Sequence, residues 1–298
     1  MDGAPVQWLR VPVEVDTDDE ETATELVTEL VPGIGVEILD RRAALLVPEA
    51  GKLRPGRILL RFYVTPDQIE LAVSAANQIE RGRVGAPEAV SDEWKENWKK
   101  FFKPTRVSPR FVVRPPWEAH AEPQQTDIEV VIEPGMAFGT GTHETTRLCL
   151  RAVDQLIKGG ETVLDVGCGS GVLSVAAALR GAASIVAIDV EQDAVNATID
   201  NAERNRVTSL ITPSLTLLAD VKGVYDIVFA NILASVLIEV SEDIIARVAP
   251  GGHLVLSGIL DADGDAVSDV YVRHGFVMLE RVQDGDWLSL HLTHGAAA

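Results

Sequence analysis

Asp165-Val166-Gly167-Cys168-Gly169-Ser170-Gly171 sets three alternating glycines directly behind an acid. Glycines in such a run let a ligand approach the main chain and leave N–H groups free at the start of the next helix. A second acid, Asp189, closes the following apolar run, where a carboxylate can accept from both hydroxyls of a ribose. A dinucleotide fingerprint reads G-x-G-x-x-G/A, and Val172 stands where its last small residue belongs. An anionic pyrophosphate would meet Asp165 unfavourably, whereas a zwitterion carrying an ammonium and a sulfonium would not. The acids and glycines suit a nucleoside that bears positive charge.

These residues resemble the first two motifs of the class I S-adenosylmethionine-dependent methyltransferases, which implies a cofactor and a fold but no substrate. Two further segments narrow the resemblance: Gly135-Met136-Ala137-Phe138-Gly139-Thr140-Gly141-Thr142-His143-Glu144-Thr145-Thr146, and Asn231-Ile232-Leu233-Ala234. With an N-terminal α+β module and a connector holding Trp94, Trp98, Phe101 and Pro104, the whole chain resembles the methyltransferases that modify large-subunit ribosomal protein eleven. Glu144 departs from the Pro of many relatives, although a carboxylate is favourable in a first helical turn.

The resemblance implies S-adenosylmethionine as cofactor, held by Thr146, Asp165, Gly167, Gly169, Gly171, Asp189 and Asn231. Asn231 would also be the catalytic residue, aiming the acceptor nitrogen with its oxygens. Asp220 is either an acceptor for the adenine amino group or a solvated loop acid. Related amino-group and adenine methyltransferases place Asn-Pro-Pro-Tyr at the Asn231 position; the missing prolines argue against a nucleobase acceptor. The implied partner is ribosomal protein eleven, free or on the ribosome, methylated on lysines and on its N-terminal amine up to three times each. The chemistry is then an in-line attack by a neutral amine, in which alignment contributes several kcal/mol and no dedicated base is needed.

Other chemistries find little support. His143-Glu144 is followed by Arg147 where a zincin needs His, and no metal is expected. Gly169-Ser170-Gly171 lacks the spacing of a nucleophile elbow. Cys168 is placed to line the cofactor, while His291 and His294, close to an Ala tail, are expected to face solvent.

The elements that must carry these residues follow from periodicity. Val11, Val13 and Val15 alternate as a strand, Asp18 to Leu30 has helical spacing, and Gly33 ends that helix. Strands are expected over 34–38, 43–47 and 58–64, and Pro66 opens a helix with Ile69, Val73, Ala76 and Ile79 on one face. The sum is a small ferredoxin-like α+β domain over residues 1–90. A helical linker over 91–104 follows; its basic, aromatic run continues to Arg114 and is read as a packed connector in preference to a nucleic-acid surface. Residues 105–298 form the catalytic domain, a Rossmann-like doubly wound α/β sheet. Its strands are expected over 162–166, 184–188, 225–230 and 252–257, and its helices over 171–180, 192–205 and 233–248. A weaker helix runs to His274, and strands 276–282 and 287–292 flank a turn at Gln283-Asp284-Gly285-Asp286, a C-terminal antiparallel hairpin.

Composition sets the remaining limits. The 298 residues hold 26 Lys+Arg against 45 Asp+Glu, a net charge of −19, which argues against direct DNA binding and suits a basic partner. Most of the excess, −14, falls on residues 126–298. Two cysteines make no disulfide framework, the N-terminus lacks a signal pattern, and no apolar run nears the roughly 18–20 residues of a membrane span. A cytoplasmic enzyme without a membrane partner is expected. Three alternatives stay open: a lysine methyltransferase of another protein such as the electron-transfer flavoprotein β-subunit, a non-catalytic ribosome-assembly or RNA-binding factor, and a nicotinamide oxidoreductase.

Overall fold

The computed structural model describes residues 8–31, 34–39, 52–90, 102–134, 141 and 143–295. The chain divides into two compact units, residues 1–100 and 101–298.

In the first unit β1 (Leu9–Asp16) turns Val11, Val13 and Val15 inward, as its alternation requires. A 3-10 turn takes up Thr17–Asp19, so α1 (Glu20–Leu30) starts two residues later than its acids suggest, and it buries Ala23 and Val27. Then come β2 (Gly35–Leu39), β3 (Arg57–Val64), α2 (Ile69–Ala76), β4 (Arg83–Val84) and β5 (Glu88–Ala89). The sheet order is β2-β3-β1-β4, with β5 also on β1, and every described pairing is antiparallel. Thus α1 joins β1 to β2 with β3 lying between them. Among the described residues of this unit the main apolar cluster includes Val13, Val27, Phe62 and Ala75, and Leu39 and Leu53 form a small second one. The strand expected over 43–47 lies outside the described residues, as do Trp94, Trp98, Phe101 and all of the expected linker before Phe102.

The second unit opens with a small sheet that periodicity did not announce: β6 (Thr105–Arg106), β7 (Phe111–Arg114) and β8 (Ile128–Val131), in that order. Two- and four-residue strands are too short to show a pattern. The described part of the basic run is folded into this sheet. Phe111, Val112 and Val113 are buried, while Arg106, Arg110 and Arg114 pair with Asp127, Asp154 and Glu129 at 2.7, 2.6 and 2.5 Å.

The main sheet follows. In chain order its unit contains α3 (Glu144–Leu156), β9 (Thr162–Val166), α4 (Val172–Leu179), β10 (Ser184–Ile188), α5 (Gln192–Arg204), β11 (Ile211–Ser214) and β12 (Tyr225–Asn231). The remainder is α6 (Ala234–Glu239), α7 (Ser241–Ile245), β13 (Val248–Leu260), α8 (Gly264–Arg273), β14 (Phe276–Asp284) and β15 (Trp287–His294). The order β11-β10-β9-β12-β13-β15-β14 is parallel through β13, and β15 and β14 close it antiparallel. Successive β9 residues feed opposite cores: Val163 joins the cluster under α3 and α4, Leu164 the one under α6, α7 and α8. Strands buried on both faces read as continuous apolar runs, which made them visible in the sequence. The strand order switches sides at β9, with β10 on one flank and β12 on the other, so the carboxyl ends of β9 and β12 frame the crevice where open α/β sheets bind ligands.

Two expectations need correction. The helix expected over 233–248 is two short helices bent at Val240, although bonds from Val240 N–H to the Val236 carbonyl and from Ile244 N–H to the Val240 carbonyl carry the ladder through. It ends early because the Arg247 carbonyl accepts from Tyr225 N–H and its guanidinium from the other side grips the Val221 carbonyl, drawing the chain into β13. His291 and His294 are not on a solvated tail. They sit in β15 between β13 and β14, where His291 meets His253 ring to ring at 3.0 Å and His294 stacks on Phe276. Burial, then the neighbouring His253, pulls the His291 pKa down to about 4. Among the described residues no helix is long and apolar enough to cross a membrane, and no group of three or more His, Cys, Asp or Glu is placed to hold a metal.

Candidate functional site

The chain leaves β9 through Gly167, Gly169 and Gly171, at φ +71°, +53° and +75°. All three lie in the left-handed region that side-chain-bearing residues avoid. Space gives a second reason. A Cβ on Gly167 would stand 2.4 Å from Ile232 Cγ2, and one on Gly171 would stand 2.8 Å from Thr198. The loop is anchored on β10, whose Ile188 carbonyl accepts from the N–H groups of Gly167 and Cys168.

The two acids behave differently. Asp165 is buried and accepts from Ser174 Oγ at 2.6 Å. Loss of hydration raises its pKa to about 6, against the lowering effect of the Ser174 bonds and with a further push from Asp189. Asp189 is half-buried; its Oδ2 accepts from Gly169 N–H at 2.9 Å and its Oδ1 from Glu191 N–H at 3.1 Å. Each of those oxygens keeps a second lone pair.

Asn231 ends β12, and Ile232 just beyond it covers Gly167. The Asn231 Oδ1 is buried and makes no hydrogen bond. Thr146, fully buried in the first turn of α3, has an Oγ1 in the same condition. Thr146 also belongs to the carboxyl edge of the sheet. The start of α3 touches the β14–β15 turn through Arg147 and Asp284, and Trp287 at that turn pairs in register with Leu260 at the far end of β13. Buried polar atoms are nearly always bonded, so two orphaned oxygens on one edge mark a place for ligand donors.

The residues present fit a nucleoside with a cationic side chain: a glycine cradle that any Cβ would fill, acids on both sides of it, and two buried acceptors without partners. Comparison with known proteins agrees. The family model for ribosomal protein L11 methyltransferase (PrmA) matches residues 7–295. Curated relatives of the same name include one from Citrifermentans bemidjiense, 44% identical over 93% of this chain and 94% of its own length. Another, from Geobacter metallireducens, is 36% identical over 95% and 97%.

The chain belongs to the ribosomal protein L11 methyltransferase family.

A solved ribosomal protein L11 methylase from Lactobacillus delbrueckii subsp. bulgaricus superposes with a TM-score of 0.61 at 29% identity, covering 65% of this chain and all of that one. The relatives are named for L11, and the flavoprotein subunit gains no support from them.

Within this family member, several residues that hold the site were not singled out in the sequence. On α5, Thr198 Oγ1 donates to the Gly169 carbonyl at 3.0 Å and Asn201 Nδ2 to the Ser170 carbonyl at 2.9 Å. Three-residue spacing of two amide- and hydroxyl-bearing residues on a helix facing the loop was the available signal. Gly258 sits at a bulge in β13 with φ +81°, and a Cβ there would strike the Ile232 carbonyl at 2.3 Å. An isolated glycine in a strand is the ordinary sign of such a bulge. Val190, 80% exposed beside Asp189, is a bare apolar surface at the crevice.

Cys168 is not a lining residue. Its side chain packs in the core beneath α4 with Sγ 3.3 Å from Thr198 Oγ1, and burial pushes its thiol pKa up to about 12. Asp220 lies exposed in the 3-10 turn Leu218–Asp220. Of the long Gly/Thr motif, residues 135–140 and Thr142 lie outside the described residues. Gly141, at φ +89°, is pressed against Val113.

Proposed function

We propose that this chain transfers methyl groups from S-adenosylmethionine to lysine side chains and the N-terminal amine of large-subunit ribosomal protein eleven, up to three per nitrogen. The observation that carries the proposal is the buried, unbonded Asn231 Oδ1 at the mouth of a glycine cradle, in a chain of this family.

When bound, S-adenosylmethionine supplies a methyl group on a sulfonium, already a good leaving group. The chain's own residues then have to hold and aim. Asp189 offers its remaining lone pairs to the ribose hydroxyls, and Val190 offers the adenine an apolar face. The 167–171 loop, bare of side chains at its three glycines, leaves room for the charged end, the carboxylate of Asp165 counters its charge, and Thr146 Oγ1 gains the partner it lacks. Asn231 Oδ1 accepts an N–H from the incoming amine and so points the nitrogen lone pair at the methyl carbon.

The amine must arrive neutral. Lysine titrates near 10.4 and an α-amino group near 7.7–8.0, and a desolvated crevice lowers both. Neither nearby acid is suited to serve as a base, since Asp165 is bonded to Ser174 and Asp189 to two main-chain N–H groups. Proton loss to water is sufficient, and positioning does the rest.

The reading extends to the domains: 1–90 as the substrate-recognition domain, 91–104 as the linker and 105–298 as the catalytic domain. The strand order β2-β3-β1-β4 with α1 and α2 supports a ferredoxin-like first domain. The −14 charge of residues 126–298 supports a basic target, free or on the ribosome, and would speed encounter at low salt. Two free buried cysteines suit a cytoplasmic enzyme.

The test is mass spectrometry of purified ribosomal proteins incubated with the enzyme and an isotopically labelled methyl donor. Label on lysines and the N-terminus of protein eleven is expected; an unlabelled protein eleven would overturn the assignment. Removing residues 1–90 should abolish that labelling while the cofactor still binds, and equal labelling by the truncated chain would refute the recognition role.

A further inference from the structure

Glu144 stands at the first position of α3, where proline is favoured because the N–H there has no helical partner. Glu144 answers that N–H with its own carboxylate, which holds its pKa below the usual range. The carboxylate also reaches Arg147 Nη2 at 3.3 Å. Arg147 in turn reaches across to the C-terminal hairpin, donating from Nε and Nη2 to Asp284 Oδ2 at 3.0 and 2.9 Å. Gly285 in the same turn lies against Glu144, with a Cβ there 3.7 Å from Glu144 Cγ. One residue ahead of the helix, His143 Nδ1 accepts from Thr145 N–H at 3.3 Å, and its ring meets Trp287 edge-on at 5.2 Å. Two separate contacts therefore fasten the first turn of α3 to one hairpin turn, and Thr146 lies inside that turn.

We propose that Arg147 and Asp284 are positioning residues for the cofactor site: the hairpin clamps the start of α3 and so fixes the Thr146 hydroxyl at the carboxyl edge of the sheet. The proposal rests on the reading of Thr146 as a cofactor contact. Arg147 and Asp284 are each about a quarter exposed, so their pairing adds little to global stability. Its effect falls on geometry, because the hydroxyl of a residue in a first helical turn moves with the turn. A charged pair that anchors a site-bearing element changes ligand affinity by roughly 2- to 30-fold when broken.

The experiment measures S-adenosylmethionine binding by calorimetry on the full chain as wild type, Asp284→Asn, Thr146→Val and the double variant. Asp284→Asn should weaken binding about tenfold with a thermal midpoint within a few degrees of wild type. In the Thr146→Val background it should cost nothing more, because the hydroxyl it positions is gone. A merely structural clamp would give independent, additive losses, and that result would overturn the proposal, as would unchanged affinity in Asp284→Asn. If the variant folds poorly, Arg147→Lys, which keeps the charge and loses the forked geometry, provides the same comparison. Absence of binding by wild type would sink the cofactor reading itself and is distinguishable from either outcome.

Discussion

Asp165 offers the sharpest test, because its proton is tied to its burial. A free aspartic acid titrates at 3.8 and this one at about 6, so the folded chain holds the proton more tightly than the unfolded chain does. At about 1.4 kcal/mol for each pH unit, ionising Asp165 inside the fold costs about 3 kcal/mol. The sign follows. That stability is fully present below about pH 4 and is lost as pH rises through about 6. Asp165→Asn keeps an acceptor for Ser174 and removes the ionisation. Relative to wild type, it should gain up to about 3 kcal/mol between pH 4 and pH 7 in denaturant titrations. A cationic ligand acts in reverse, since it favours the ionised carboxylate. Wild-type affinity for S-adenosylmethionine should climb about tenfold from pH 5 to pH 7, over a range where the ligand's own ammonium stays protonated. The Asn variant should bind more weakly and with a flat profile. A flat wild-type profile, or the same slope in Asp165→Asn, would show that no carboxylate with a pKa near 6 faces the cation.

Three other outcomes are expected. Thr146→Val replaces a buried, unbonded hydroxyl with a methyl of the same shape, so the ligand-free protein should keep its stability or gain up to about 1 kcal/mol in chemical denaturation, while calorimetry shows weaker cofactor binding. Gly167→Ala forces a left-handed residue to carry a Cβ 2.4 Å from Ile232, and should lower the unfolding free energy by roughly 1–3 kcal/mol and abolish detectable binding. With burial holding both thiols at about 12, Cys149 and Cys168 should resist iodoacetamide at pH 8 in the folded protein, as mass spectrometry would report; rapid alkylation of Cys168 would place it in the crevice instead of the core.

What the sequence made legible was whatever had a short physical period. The β9 strand and its glycine loop could be read directly, since a doubly buried strand is a continuous apolar run and a left-handed turn demands glycine. The same logic placed β10, β12 and the hairpin, but it failed where a strand runs for only one or two periods. β6 and β8 pass unnoticed for that reason. The early end of the helical stretch is set by what Arg247 grips, which is a tertiary fact with no local signature. His291 looked peripheral because it is near the chain's end in sequence, whereas the closing strand of a doubly wound sheet lies between two others. At the site, Asp165, Asp189 and Asn231 could be chosen by their place behind strands. Thr198 and Asn201 had only their three-residue spacing to mark them, because a polar face on α5 reads as solvated until the loop is seen to rest on it.

Those hidden supports bear on how the site can exist at all. Three left-handed glycines, a buried acid kept from water and two unbonded oxygens each cost stability, and they are gathered at one edge of the sheet. Such features persist only where the surroundings over-determine them. Here the Ile188 carbonyl holds the loop from β10, Thr198 and Asn201 hold it from α5, and Ile232 covers it from β12. Beneath it, Leu164, Val228 and Leu254 are fully buried, so the strands that carry the edge have no freedom to relax toward it. On the function proposed above, the unspent hydrogen-bonding capacity of Thr146 and Asn231 is thereby kept in place for the cofactor and the acceptor amine, which would need little reorganisation of the protein to use it.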